Sequence, residues 1–281
     1  MKNIIMMIAG FTLFLLLFSL FEFYLAIRPI RLTSTLTPKN LSLHYEAVSF
    51  LTQDKILIKG WFIPSKEPQA KTLILLHGYP ADKGDILPAM AFLHPEFNLL
   101  LFDFRYCGES GGHYSTVGKN EVLDLLAALK YLHTRDIHEV GVWGFSLGGA
   151  VALMTAPQAP AIKAIVAESA YAHLDWLAEE YYSIPLLRYP LIELTRLWAW
   201  LFLDYDLKQV SPAKAAEYLK IPIFIIHSRQ DQVIPFKHAQ ALQKALQSNP
   251  KAEFLFRDQG AHGQFAPNYQ KIIREFFGRN L

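Results

Sequence analysis

The run Val140-Gly141-Val142-Trp143-Gly144-Phe145-Ser146-Leu147-Gly148-Gly149-Ala150 decides the fold of this 281-residue chain. It begins as a buried strand, passes through G-x-S-x-G and opens a helix. The spacing has a mechanical cause. A strand that turns directly into a helix strains the central residue and pushes its side chain into a cleft, so Gly144 and Gly148 must lack side chains for the two arms to approach. Ser146 then stands at a helix N-terminus, where aligned peptide dipoles favour developing negative charge. Without its strand and helix the motif would be an ordinary glycine-rich turn; in this context it predicts a nucleophile.

A serine is a weak nucleophile until a base takes its proton, so an acid and a histidine should follow in the order Ser, Asp/Glu, His. Asp231, in Ile225-Ile226-His227-Ser228-Arg229-Gln230-Asp231, comes just after an apolar strand, and His262 sits in the glycine-flanked loop Gln259-Gly260-Ala261-His262-Gly263 after the last one. The bland alternatives are a loop-capping aspartate and a surface histidine; order and strand-end position favour catalysis. An oxyanion needs donors, and the expected pair is the backbone N–H of Leu147 and that of Tyr79 in His77-Gly78-Tyr79-Pro80, where Pro80 has none to give. His77 precedes the serine and reads as a loop-shaping residue. Glu168 is a rival acid at a strand end, Asp103 belongs to a glycine-rich structural loop, and Cys107 has no nucleophile motif around it. No zinc-type spacing, P-loop or G-x-G-x-x-G is present, so neither a metal nor a cofactor is expected.

Around this motif, short apolar runs alternate with helix-period segments, the rhythm of an α/β fold with a mostly parallel sheet. Strands are expected at residues 43–50, 56–63, 72–76, 97–102, 139–143, 162–167, 221–226 and 253–256, and amphipathic helices at 119–133 and 237–247. The whole of 43–281 reads as one domain. Residues 171–220 interrupt the rhythm and carry Trp176, Tyr181, Tyr182, Tyr189, Trp198, Trp200, Phe202 and Tyr205. That interval is expected to be a helical cap over the site, with a plain packing layer as the alternative.

The chain is 52% hydrophobic and only 19% charged, against about 45–50% and 25% for ordinary soluble domains. The excess lies in residues 1–27, where 19 consecutive uncharged residues separate Lys2 from Glu22. As a helix they would measure ~28 Å, close to the ~30 Å of a bilayer's hydrocarbon. A cleavable signal peptide would have a shorter apolar core and a small-residue cleavage site, so 1–27 is expected to be an uncleaved single-pass membrane anchor and 28–42 a linker. Arg28, Arg31 and Lys39 follow the span while Lys2 and the amino terminus precede it, which leaves the side of the membrane open. A net charge of +2 with no basic run excludes a nucleic-acid footprint. One cysteine, Cys107, forms no internal disulfide.

Taken together, His77-Gly78-Tyr79, Asp103-x-Arg105-x-x-Gly108-x-Ser110, Gly144-x-Ser146-x-Gly148, Asp231-x-Val233-Ile234-Pro235 and His262 make residues 43–281 resemble the α/β-hydrolase superfamily. Within it the chain is similar to the serine aminopeptidase, monoglyceride lipase and prolyl-oligopeptidase-like groups. The resemblance implies an eight-stranded sheet with an antiparallel second strand, a variable cap and no cofactor; the N-terminal span looks like that of membrane-anchored members. The expected activity is hydrolysis of an ester or related acyl bond through an acyl-enzyme on Ser146, on an apolar small-molecule acyl substrate given the aromatic interval. An amidase, peptidase or acyltransferase with the same triad and a non-catalytic binding protein are the alternatives. Sequence leaves the oligomeric state open.

Overall fold

The computed structural model describes residues 1–182 and 185–281; residues 183–184, inside the expected cap interval, lie outside the described residues. Eight strands form one sheet: β1 (Glu46–Leu51), β2 (Leu57–Ile63), β3 (Thr72–Leu76), β4 (Asn98–Phe102), β5 (Val140–Phe145), β6 (Ile162–Glu168), β7 (Ile223–Ser228) and β8 (Ala252–Arg257). Their order is β1-β2-β4-β3-β5-β6-β7-β8, with β2 antiparallel to both neighbours and every other pairing parallel. The central strands read as unbroken apolar runs because both faces are covered. In β3 the side chains of Leu73, Ile74, Leu75 and Leu76 are all fully buried, each worth ~1.5–3 kcal/mol relative to exposure.

The helices follow in chain order: α1 (Lys2–Ile27), α2 (Lys83–Met90), α3 (Glu121–His133), α4 (Leu147–Thr155), α5 (Leu174–Tyr181), α6 (Arg188–Leu203), α7 (Pro212–Ala216), α8 (Lys237–Ala245) and α9 (Tyr269–Asn280). One face of the sheet packs on α3, α4, α7 and α8 through Leu125, Ala150, Ala213 and Leu242. The opposite face packs on α2 and α9 through Ile86, Leu87, Phe276 and Phe277. Helix α2 was not expected, since Gly84 and Pro88 interrupt it. Asp82 starts it by accepting from the Gly84 and Asp85 amides at 2.8 and 3.2 Å, which satisfies donors that a helix start leaves free. Helix α9 was not expected either, although Ile273, Phe276 and Phe277 carry the required spacing.

The interval 171–220 contains α5, α6, a 3₁₀ turn (Leu207–Gln209) and α7. Beside it stands α1, whose first thirteen residues, 2–14, are exposed throughout and whose Ser19, Phe23 and Ile27 are buried against the body. The stretch after α1 is also tied down. Ser115 N–H donates to Ile27 O at 2.9 Å, Arg31 donates to Tyr106 O at 2.9 Å and to Ser110 O, and Ser34 N–H donates to Asp82.

Candidate active site

Ser146 follows β5 without a spacer and begins α4. Its backbone lies at φ 52° and ψ −113°, a conformation that costs an L-residue on the order of 1–3 kcal/mol. Its neighbours hold it there. The Ser146 N–H donates to Glu168 O at 2.8 Å and Ser146 O accepts from the Ala150 amide at 3.1 Å. A Cβ on Gly144 would strike the Gly148 backbone, and one on Gly148 would come 2.5 Å from Leu76 O. The two glycines of the motif are therefore required by contact.

Asp231 and His262 come from the loops after β7 and β8 and meet at the same carboxyl edge of the sheet, where open parallel sheets carry their sites. His262 Nδ1 is 2.7 Å from Asp231 Oδ2. The second oxygen, Oδ1, accepts the amides of Val233 and Ile234 at 2.9 and 2.8 Å. Burial works to raise the Asp231 pKa, but the His262 hydrogen bond, the Ile234 amide and the neighbouring histidines outweigh it and hold the carboxyl below its ordinary value. A carboxylate only accepts, so the proton belongs on His262 Nδ1 and Nε2 keeps its lone pair, the tautomer a general base needs. His227 stays neutral: burial lowers its pKa, and its Nε2 donates to Ile234 O at 2.8 Å.

The His262 ring rests on Phe145, the residue before the serine, with centroids 4.7 Å apart. Gly78 closes the other side, since a Cβ there would meet Phe145 Cδ1 at 2.9 Å and Ser146 Cβ at 3.5 Å. Among the described residues, Ser146 Oγ has no hydrogen bond to His262, and neither the Leu147 nor the Tyr79 amide donates to another group of the chain. Both amides are thus unengaged beside the serine. A loose serine–histidine contact is common before substrate binds and tightens in the complex.

The other candidates have separate duties. His77 is fully buried, with Nδ1 donating to Gly78 O at 2.6 Å and Nε2 accepting from the Phe104 amide at 3.0 Å. Asp103 holds Lys83 Nζ at 2.6 Å and the Lys83 and Glu109 amides at 2.8 Å. Glu168 accepts from the Tyr269 hydroxyl, which in turn accepts from Trp143 Nε1 at 2.6 Å, so its carboxyl is committed to α9. Burial pushes its pKa up to about 7 against the Tyr269 hydrogen bond and the Arg257 charge. Cys107 is buried, and burial raises its thiol pKa. Among the described residues no group of three or more His, Cys, Asp or Glu is arranged to hold a metal ion.

Two features escape the sequence. The Tyr79 hydroxyl donates to Ala26 O at 2.7 Å, joining the candidate oxyanion loop to the end of α1. Glu121 accepts from the Ser115 hydroxyl, the Thr116 amide and hydroxyl, and the Gly118 amide, which fixes the loop on which Tyr171 and Tyr205 lean. The aromatic interval also divides. Tyr182 and Tyr205 are buried, whereas Tyr181, Tyr189, Trp200 and Phe202 are exposed, so the interval as a whole is not a pocket lining.

A sequence model of the prolyl oligopeptidase family matches residues 110–277. The chain is 30% identical over 241 residues to the uncharacterized protein YfhR of Escherichia coli, covering 82% of this chain and 78% of that one. It is 23% identical to an uncharacterized membrane protein of Saccharomyces cerevisiae over 85% of this chain and 82% of that one. Among solved structures it is similar to an esterase from Pyrococcus furiosus, with a TM-score of 0.75 and 29% identity over 90% of this chain and 97% of the esterase.

Proposed function

Because the chain belongs to the prolyl oligopeptidase family, we propose that it is a membrane-anchored serine hydrolase whose triad is Ser146, His262 and Asp231 and whose substrate is an apolar acyl ester. The observation that carries this reading is the 2.7 Å hydrogen bond from His262 Nδ1 to Asp231 Oδ2, beside a serine held at positive φ. His262 Nε2 takes the proton of Ser146 Oγ as that oxygen attacks the acyl carbon. The oxyanion that forms is met by the N–H groups of Leu147 and Tyr79. His262 then gives its proton to the departing alkoxide, leaving an acyl-enzyme on Ser146. Water, deprotonated by His262, attacks that ester; collapse of the second tetrahedral intermediate frees the acid and returns the proton to Ser146. Asp231 keeps the imidazole oriented and stabilises it while it is charged.

Family membership places esters and amides both within reach of this chemistry, and the likeness to an esterase at 29% identity favours the ester. Helix α1 is long and apolar enough to cross a membrane, and we take it as a single-pass anchor. A fluorophosphonate probe should label the full-length protein and leave Ser146→Ala unlabelled; equal labelling overturns the assignment. Hydrolysis of p-nitrophenyl esters should rise with acyl length, and a preference for acetate would remove the apolar substrate.

A further inference from the structure

Helix α6 is apolar on two opposite sides. Leu191, Ile192 and Ala199 point inward and are buried, while Tyr189, Leu197, Trp200 and Leu201 recur on the outward side, with Trp200 61% and Leu201 52% exposed. Glu193, 69% exposed, shares the outward row with Tyr189 and Leu197, so this face mixes apolar and charged side chains as a helix lying in a membrane interface does, and no protein element covers it among the described residues. Its charges do not oppose lipid contact as isolated ions. Arg196 pairs with Glu193 at 2.5 Å and lies 3.9 Å from Glu179, which Arg188 also approaches at 3.9 Å.

The neighbour of α6 says what covers it. Trp198 Nε1 donates to Ser19 Oγ at 3.0 Å and Phe202 stacks on Phe23 at 6.3 Å, so α6 and the second half of α1 run side by side in the same direction. Leu15 and Phe18 add to that contact through Tyr182, Leu191 and Ile192. The free part of α1, residues 2–14, reaches only about 20 Å, whereas hydrocarbon is about 30 Å thick. The missing length is supplied by residues 15–21, the segment that α6 accompanies. A bilayer that holds the apolar stretch of α1 therefore meets α6 as well, and Trp200, level with the end of that stretch, is a side chain suited to its interfacial zone.

We propose that the outer face of α6 docks into the interface of the bilayer entered by α1, and that the site draws its acyl substrate from that leaflet. This rests on the reading of the chain as a membrane-anchored serine hydrolase. The end of α1 touches the candidate oxyanion loop through Ala26 and Tyr79, so a chain of contacts runs from α6 through α1 to the loop beside Ser146.

The test uses full-length protein in phosphatidylcholine vesicles, with Cys107→Ala as background and an environment-sensitive label at Trp200→Cys or Leu201→Cys. Tyr218→Cys, exposed elsewhere, serves as control. Spin-labelled lipids should quench the labels on α6 several-fold more than the control. In parallel, Trp200→Asp with Leu201→Asp should lower hydrolysis of a vesicle-embedded long-chain ester by about tenfold or more and leave a soluble short-chain ester unaffected. Unquenched labels on protein that still floats with vesicles overturn the proposal alone, as does labels shielded only by self-association of the chain. Failure to float overturns the anchor, and fluorophosphonate labelling that persists in Ser146→Ala overturns the hydrolase reading.

Discussion

At the scale of single residues, the site separates two carboxyls by environment. Asp231 is half-surrounded by donors and held below its ordinary pKa, so it remains charged beside His262 across the working range. The activity profile should accordingly show no step from Asp231 above about pH 4. Asp231→Asn should lower kcat by at least about 1,000-fold because the histidine loses its tautomer, measured with a soluble ester at fixed pH. Glu168 is the opposite case, pushed up to about 7 by burial. Its folded form holds a proton that the unfolded chain releases near 4.5, so the folded state is fully favoured below that pH and loses stability as pH rises toward 7. The loss amounts to ~3 kcal/mol at most. Glu168→Gln keeps an acceptor for Tyr269 and should flatten the fall in urea midpoint between pH 4.5 and 7; an unchanged slope would place the dependence elsewhere. The candidate residues Ser146, Asp231 and His262 could be named from the sequence because they obey chain order and strand-end spacing. The Trp143–Tyr269–Glu168 relay was not, because its partners are 126 and 101 positions apart and no local pattern links them.

At the scale of elements, the elbow is the one place where local sequence and tertiary contact impose the same requirement. β5 must stop where Ser146 turns, and α4 can start only because Gly148 passes against Leu76 O. Gly144→Ala should therefore cost ~3 kcal/mol or more, since the clash is with backbone that cannot move aside, and urea denaturation would measure it. A cost below about 1 kcal/mol would mean that the arms have room to separate. Strands were readable because burial on both faces leaves continuous apolar runs. Helix α2 was not, because Gly84 and Pro88 mask it and its stability comes from the Asp82 cap and from Ile86, Leu87 and Met90 packed on the sheet. The interval 171–220 was readable as helical and aromatic, but composition does not say which side of a helix faces inward; on α6 one apolar side is buried and the opposite one is exposed.

At the scale of the molecule, α1 is tied into the body as well as being long and apolar enough to cross a membrane. Its last turns are part of the core through Phe23 and Ile27, and Ala26 O holds the Tyr79 hydroxyl at 2.7 Å. Tyr79→Phe should lower kcat about fivefold with KM unchanged, the worth of about 1 kcal/mol for one hydrogen bond that steadies an oxyanion donor. In protein lacking residues 1–27, kept in detergent, the same substitution should cost nothing further; an equal loss in both backgrounds would sever the helix from the loop. The sequence by itself determined the α/β class, the order of serine, acid and histidine, and the apolar leader, because each is written in a short run whose periodicity or spacing has one mechanical reading. Only the tertiary structure decided that the leader leans on α6 and on the loop that carries Tyr79, and that half of the aromatic interval faces outward. Those facts depend on how separate helices pack side by side, and packing pairs surfaces that lie far apart along the chain and carry no mark of each other.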